Sequence, residues 1–392
     1  MRRTLVLLLL AALAACSSRA TRRMEAVPPG VQRLSVEQVA RLTPPKVKDR
    51  RGWAQDVLHA LEENGLAPVP TNVCSVLAII EQESGYQANP VVPGLAKIVQ
   101  ARLDAYASKL GPLGQPALRA LLDGKAKGHK QPFHERLKHV KTEQDLDVLF
   151  REIVAYYENE FPTTFAVANL LGGIFTATHI EDLNPITTAG SMQVSVRYAV
   201  RVGRQRGRGP DEIRDALYTR KGGVSYGTAR LMGYPAQYEK PIYRFADYNA
   251  GVYASRNAAL QKQVSELTGI KLVTDGDLLA YDRNESPTDA ETKTMQALDA
   301  FRRKYAPGLS ARELRRDAER EKEESFEATE TWRVVKEAYR KTLGKAAPYA
   351  QVPEVVIKSP KMSKERSTSW YAKNVNVRFE SCLSRAQALD EV

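Results

Sequence analysis

Cysteine is scarce: Cys16, Cys74 and Cys382 are the three in 392 residues, and none forms a CxxC pair of redox or metal-binding spacing. Histidine is sparse too. His129, His134 and His139 recur every five residues, which matches neither i,i+4 ligation nor the H-E-x-x-H zinc pattern, so they read as surface residues. No Gly-rich phosphate loop or dinucleotide fingerprint occurs. After the first sixteen residues no run reaches the ~20 apolar residues of a membrane-spanning helix. The nearest, FAVANLLGGIFTA at 165–177, reads as a buried core helix. What is present is a globular balance, 43% hydrophobic and 27% charged, with a net charge of +12.

The chain opens MRRTLVLLLLAALAAC. Arg2 and Arg3 give a positive n-region and Leu5 to Leu10 an apolar h-region, the layout of an export signal. Its close, Leu13 to Cys16, resembles the lipobox of bacterial lipoproteins. That resemblance implies a signal peptide at 1–15 and lipidation of Cys16, and Ser17 is similar to the outer-membrane sorting pattern. Three acyl chains exceed the two signals that stable anchoring needs. The expected location is the outer membrane, lipid-anchored and facing the periplasm. Nucleic acid is not expected as a partner there; anionic lipid and carboxylate-rich cell-wall peptides are. The densest basic run, RVGRQRGRG at 201–209, has the composition of a solvated helix end or loop. Cys74 and Cys382 either pair, tying the tail to the first core helix, or remain two separate buried thiols.

Residues 16–50 are polar with PPG and TPP breakers and read as a tether. Trp53, Val57, Leu58 and Leu61 predict a helix over 51–65 closed by Gly65. The stretch PTNVCSVLAIIEQESG predicts a second, capped by Thr71 or Asn72 and ended by Gly85. At 100° per residue Glu83 falls between Val76 and Ile79 on the apolar face, with Glu81 nearer its edge and Gln82 outward. A carboxylate on a buried face is uncommon unless something pairs with it or uses it. Residues 91–183 are mostly helical, helices resume over 184–275, and 276–392 is charge-dense. Short strands are expected at EVVIK and NVNVRF. The class is mainly α.

Three strings then stand in order: ESGY from Glu83, AGSMQ at Ala189 to Gln193, and YNAG at Tyr248 to Gly251. This ordered set, with GGVSYGTARL between the last two, resembles the lytic murein transglycosylases of the lysozyme-like superfamily, in the soluble transglycosylase and goose-type lysozyme branch. The resemblance covers about 51–90 and 184–275, under half the chain. It implies a lysozyme-like helical domain split by a helical insertion at 91–183, followed by a C-terminal extension at 276–392. The family keeps the Glu and the Met-Gln some two dozen residues apart, whereas here the insertion separates them. Ser191 replaces the usual Leu, and Asp247 the Ala before Tyr248. The whole is also similar to an uncharacterised family of Gram-negative lipoproteins.

Glycosidic cleavage needs a carboxylic acid still protonated near neutral pH, which an apolar wall provides. The resemblance assigns that role to Glu83, with Tyr248 hydrogen-bonded to it. It places Ser84, Gly190, Met192, Gln193, Tyr226, Asn249 and Gly251 with Tyr248 around the substrate, peptidoglycan, with no cofactor or metal. One Glu then acts as acid and as base, breaking the bond between N-acetylmuramic acid and N-acetylglucosamine without water. Two alternatives remain: a hydrolytic muramidase with Asp247 or Glu181 as second carboxylate, and a non-catalytic peptidoglycan-binding or envelope-assembly lipoprotein. GVSYG at Gly223 to Gly227 fits the nucleophile-elbow string, but YTRKG precedes it where an apolar strand is required.

Overall fold

The computed structural model describes residues 25–27, 29–109, 111–160, 184–282, 285–357 and 365–390. The export signal, Cys16 and the 165–177 run lie outside the described residues. Ser35 and Gln38 form a capping box, so a helix starts inside the expected tether: α1, Val36–Leu42. Leu34, Val39 and Leu42 are buried in the main core. Glu25 also accepts from Ala67 N at 3.1 Å and from Asn72 Nδ2 at 2.7 Å. The tether reading for 25–50 is therefore corrected: breaker residues separate short packed pieces rather than mark a free linker.

Helix α2 (Arg50–Glu63) buries Trp53, Val57 and Leu61 and ends at Asn64. Helix α3 (Pro70–Ser84) starts without the expected Thr71 or Asn72 cap. Pro70 occupies its first turn, where a missing N–H and a fixed φ suit a helix start. Gly85 ends it in the left-handed region, at φ 57°. The described part of the expected insertion, within residues 91–160, forms α4 (Leu95–Lys109), α5 (Gly114–Leu122), α6 (Phe133–Leu137) and α7 (Glu143–Glu160). Its apolar side chains Leu95, Val99, Phe133 and Leu146 join the same core as α3. A two-residue hairpin follows, β1 (Thr188–Ala189) against β2 (Val194–Ser195), in register Ala189 to Val194. Then come α8 (Val196–Gln205), α9 (Pro210–Leu217), α10 (Arg220–Met232) and α11 (Pro241–Ala250).

The next helix, α12 (Ala254–Thr268), leads into a second core. Leu260, Val264 and Leu267 pack there with α13 (Lys293–Tyr305), α14 (Ala311–Ala318) and α15 (Glu330–Leu343). Its polar centre is Arg256, fully buried over the Tyr253 ring at 3.9 Å and donating to the carbonyls of Glu321 (2.6 Å) and Glu323 (3.0 Å). EVVIK contributes β3 (Val356–Ile357), paired with β4 (Arg366–Ser367). The other expected strand, NVNVRF, is instead part of α16 (Thr368–Asp390). Val375 is buried and Val377 exposed, an outcome that alternation forbids and a helical stripe of Tyr371, Val375, Phe379 and Cys382 produces. Residues 276–392 are thus not one extension, because α16 leaves the second core and packs on α3 and α11 in the first.

Cys74 on α3 and Cys382 on α16 form a disulfide across 308 residues. Such a cross-link acts largely by restricting the unfolded chain. Cys74→Ala/Cys382→Ala should therefore lower stability by about 2–4 kcal/mol. Urea unfolding with and without reductant checks this: wild type should fall to the level of the variant on reduction, and the variant should not move.

Candidate active site

The last turn of α3 delivers Glu83. Val76, Ile79 and Ile80 of that helix are fully buried, while Glu83 keeps a half-exposed edge. Loss of hydration pushes its carboxyl up to about 7, opposed by a hydrogen bond from the Tyr371 hydroxyl and aided by the charge of Glu143. Tyr371 stands on α16 and donates to Glu83 Oε1. Ser84 closes the helix end, its hydroxyl donating to Ile80 O at 3.1 Å and accepting from Gln87 N at 3.2 Å. It is buried, so it positions Glu83 rather than meeting a ligand.

The β1–β2 turn lies alongside. Gly190 has φ 80°, and a Cβ there would sit 2.0 Å from Leu217 O, so this position admits only glycine. Met192 is buried against Gly227, where a Cβ would come within 2.2 Å of its sulfur. A Cβ on Gly223 would likewise come within 2.9 Å of Ser191 Oγ. The glycines of GVSYG therefore let α10 approach this turn. Ser225 lies on a helix and bonds Glu63, which is not the strand-to-helix geometry of a nucleophile elbow. Gln193 adopts φ 49°. Its side chain accepts from Thr188 Oγ1 at 3.0 Å and donates to Glu143 Oε2 at 2.9 Å.

Glu143 is the contribution of the insertion. It opens α7 and is 2% exposed. One turn on, Asp147 is fully buried with Arg214 and Asn184 bonded to its carboxylate, which anchors α7 to α9. No sequence motif marks Glu143, and none marks Tyr371.

Tyr248 differs from the resemblance. Its hydroxyl donates to Met192 O at 2.7 Å, pinning the turn to α11, and Tyr371 makes the bond to the acid instead. Asp247 is 1% exposed and accepts from Tyr238 (2.6 Å), Tyr234 (3.0 Å) and Ser255 N (2.6 Å). Its oxygens are occupied in joining α11 to α12, so it is no candidate second carboxylate; Glu181 lies outside the described residues. Asn249 is exposed, its Oδ1 accepting from Thr368 Oγ1 at 2.9 Å, and Gly251 follows at φ 130°. Tyr226 is corrected as a substrate contact. It is 1% exposed and its hydroxyl faces Gly203 inside the core. The structure links Glu83 to Tyr371 and, through the charge of Glu143, to Gln193, while Asn249 meets Thr368 at the start of α16 and Gly251 faces Lys322.

A family model described as "Protein of unknown function (DUF1615)" matches residues 46–385. The chain belongs to this family. It is 37% identical over 393 residues, covering 97% of this chain and 98% of the other, to "Uncharacterized protein YaiW" of Escherichia coli (strain K12). No solved structure matches. The DUF1615 match spans α2 through most of α16, so both partners of the Glu83–Tyr371 bond fall inside it. Among the described residues no group of three or more His, Cys, Asp or Glu could hold a metal. His129 and His134 instead face Glu152 (3.5 Å) and Asp123 (3.2 Å) on the insertion surface.

A carboxyl raised from 4.5 to about 7 favours the fold while protonated. Its contribution is complete below about pH 4.5 and is lost as pH rises through about 7. Glu321, raised to about 7 by burial in the second core, acts with the same sign. Stability of the wild type should thus decline across this window, and Glu83→Gln should remove part of the decline and leave the Glu321 share. Urea midpoints at steps from pH 4 to 8 give the comparison, and identical slopes in the two proteins would refute it.

Proposed function

We propose that this chain is an outer-membrane lipoprotein that cleaves peptidoglycan glycan strands by lytic transglycosylation. The observation that carries the proposal is Glu83: half-exposed at the end of an apolar helix, its carboxyl held up near neutrality. It sits in the motif set that resembles the lytic transglycosylases. In the proposed reaction Glu83 gives its proton to the glycosidic oxygen as the bond to the muramyl anomeric carbon breaks. The substrate's own acetamido group stabilises the resulting centre. The Glu83 carboxylate then takes the proton of the muramyl 6-hydroxyl, whose oxygen closes on the same carbon to leave a 1,6-anhydro end. Tyr371 steadies the carboxylate between the two steps, the exposed Asn249 offers its amide to the sugar, and Gln193 holds Glu143 in place.

Transglycosylation is favoured over hydrolysis because a hydrolase of this type needs a second carboxylate beside a water. Among the described residues Asp247 and Glu143 are both buried, and side-chain or backbone donors already engage their carboxylates. The lipobox supports the lipid anchor at Cys16, and Ser17 beside it the outer-membrane location.

Digestion of purified sacculi by the mature protein, read by mass spectrometry, tests the proposal. Anhydro ends are expected; reducing ends would mean a hydrolase, and no release a binding or assembly protein. Glu83→Gln should lower turnover by about 10²- to 10⁴-fold, while Glu81→Gln keeps most of it. Tyr371→Phe should fall between, at about tenfold for one lost hydrogen bond to a charged group.

A further inference from the structure

Helix α8 starts three residues after Gln193 and carries the first part of the basic run noted in the sequence. Arg197, Arg201 and Arg204 follow one another at i, i+4 and i+7 on one face of it. Arg201 and Arg204 are exposed and Arg197 is half-buried. Between them Tyr198 is flanked by two guanidinium groups, Arg201 at 5.6 Å and Arg230 at 5.3 Å from its ring centroid. Arg230 comes from the last turn of α10 and is half-buried. It borders the candidate site, since the Tyr248 hydroxyl lies within reach of both the Glu83 charge and the Arg230 charge.

Among the described residues these arginines are not consumed by strong ion pairs. Arg201 has only the exposed Glu285 at 3.7 Å, which in water contributes little. Among the described residues Arg197, Arg204 and Arg230 have no carboxylate partner. A guanidinium whose partner is an aromatic ring rather than a carboxylate keeps N–H donors for a carboxylate ligand.

We propose that Arg230 and the arginine face of α8 form a subsite for the carboxylates of peptide side chains on the glycan, beside the bond-cleaving centre. The subsite rests on the peptidoglycan reading above. A lipid headgroup fits less well, because a membrane-binding face sets its basic residues among exposed apolar ones. None of the large exposed apolar side chains among the described residues stands on α8; Tyr106, Leu113 and Leu121 are on or beside α4 and α5, and the others lie on other elements.

Binding is measured on the full chain with Glu83→Gln to stop turnover. The ligands are soluble peptidoglycan strands with free carboxylates, the same strands with those carboxylates amidated, and phosphatidylglycerol vesicles. Amidation should weaken strand binding about tenfold, the scale of one charge-assisted hydrogen bond. The variant R197Q/R201Q/R230Q should bind free strands as weakly as amidated ones and lose nothing further on amidation. R230Q alone repeats the comparison if the triple variant does not fold. Undiminished binding of free strands by the variants would overturn the subsite and leave the peptidoglycan reading intact. Loss of vesicle binding with strand binding kept would reassign the arginines to lipid. Failure to bind either strand form would remove the peptidoglycan reading, and the subsite with it.

Discussion

The contact on which the site depends is the bond from Tyr371 to Glu83, made where α16 lies along α3. The two helices run in opposite directions, fixed at one end by Cys74–Cys382 and at the other by this hydrogen bond. Nine residues separate Cys74 from Glu83 and eleven separate Tyr371 from Cys382, spans of about 14 and 17 Å at helical rise. The near match lets a covalent link and a hydroxyl–carboxyl bond serve the same pair of helices. Between them Val375, Phe379 and the apolar face of α3 exclude water, and this desolvation is what raises the carboxyl. An early helix and the last helix of the fold thus make one acid, and the intervening chain supplies its surroundings.

Two intervening pieces meet the site from outside the motifs, one acting on the acid and one holding α11. The insertion places Glu143 behind Gln193, so a segment that interrupts the sequence pattern becomes part of the site's electrostatics. The second core reaches the site through Asp247, which gathers Tyr234, Tyr238 and the start of α12. That explains why an Asp stands where the resembled family has Ala: here α11 must hold an additional helical unit. The exchange adds a structural anchor and leaves the exposed Asn249 in place.

Much of the first core was legible. The apolar period of α2 and α3, the Gly85 stop and the placement of Glu83 on the apolar face all follow from local spacing. The turn at Gly190 to Gln193 was legible as a motif, although only the fold shows that Gly190 is required by the carbonyl of Leu217. Tyr371 was hidden because its partner lies 288 residues away and no short string marks it. NVNVRF misled because a six-residue window satisfies both periods, and Tyr226 because a motif tyrosine can pack inward as readily as toward a ligand. Residues 25–50 misled because Pro and Gly mark turns between packed elements as well as linkers.

The central claim is that Glu83 is a protonated acid near neutral pH, set by its burial, by Tyr371 and by Glu143. Carboxyl carbon-13 NMR of the folded protein measures it directly. A Glu83 titration centred near 7 is expected, moving down in Glu143→Gln, where a repelling charge is removed, and up in Tyr371→Phe, where a stabilising donor is lost. A midpoint near the ordinary 4.5, unmoved by either substitution, would contradict the account.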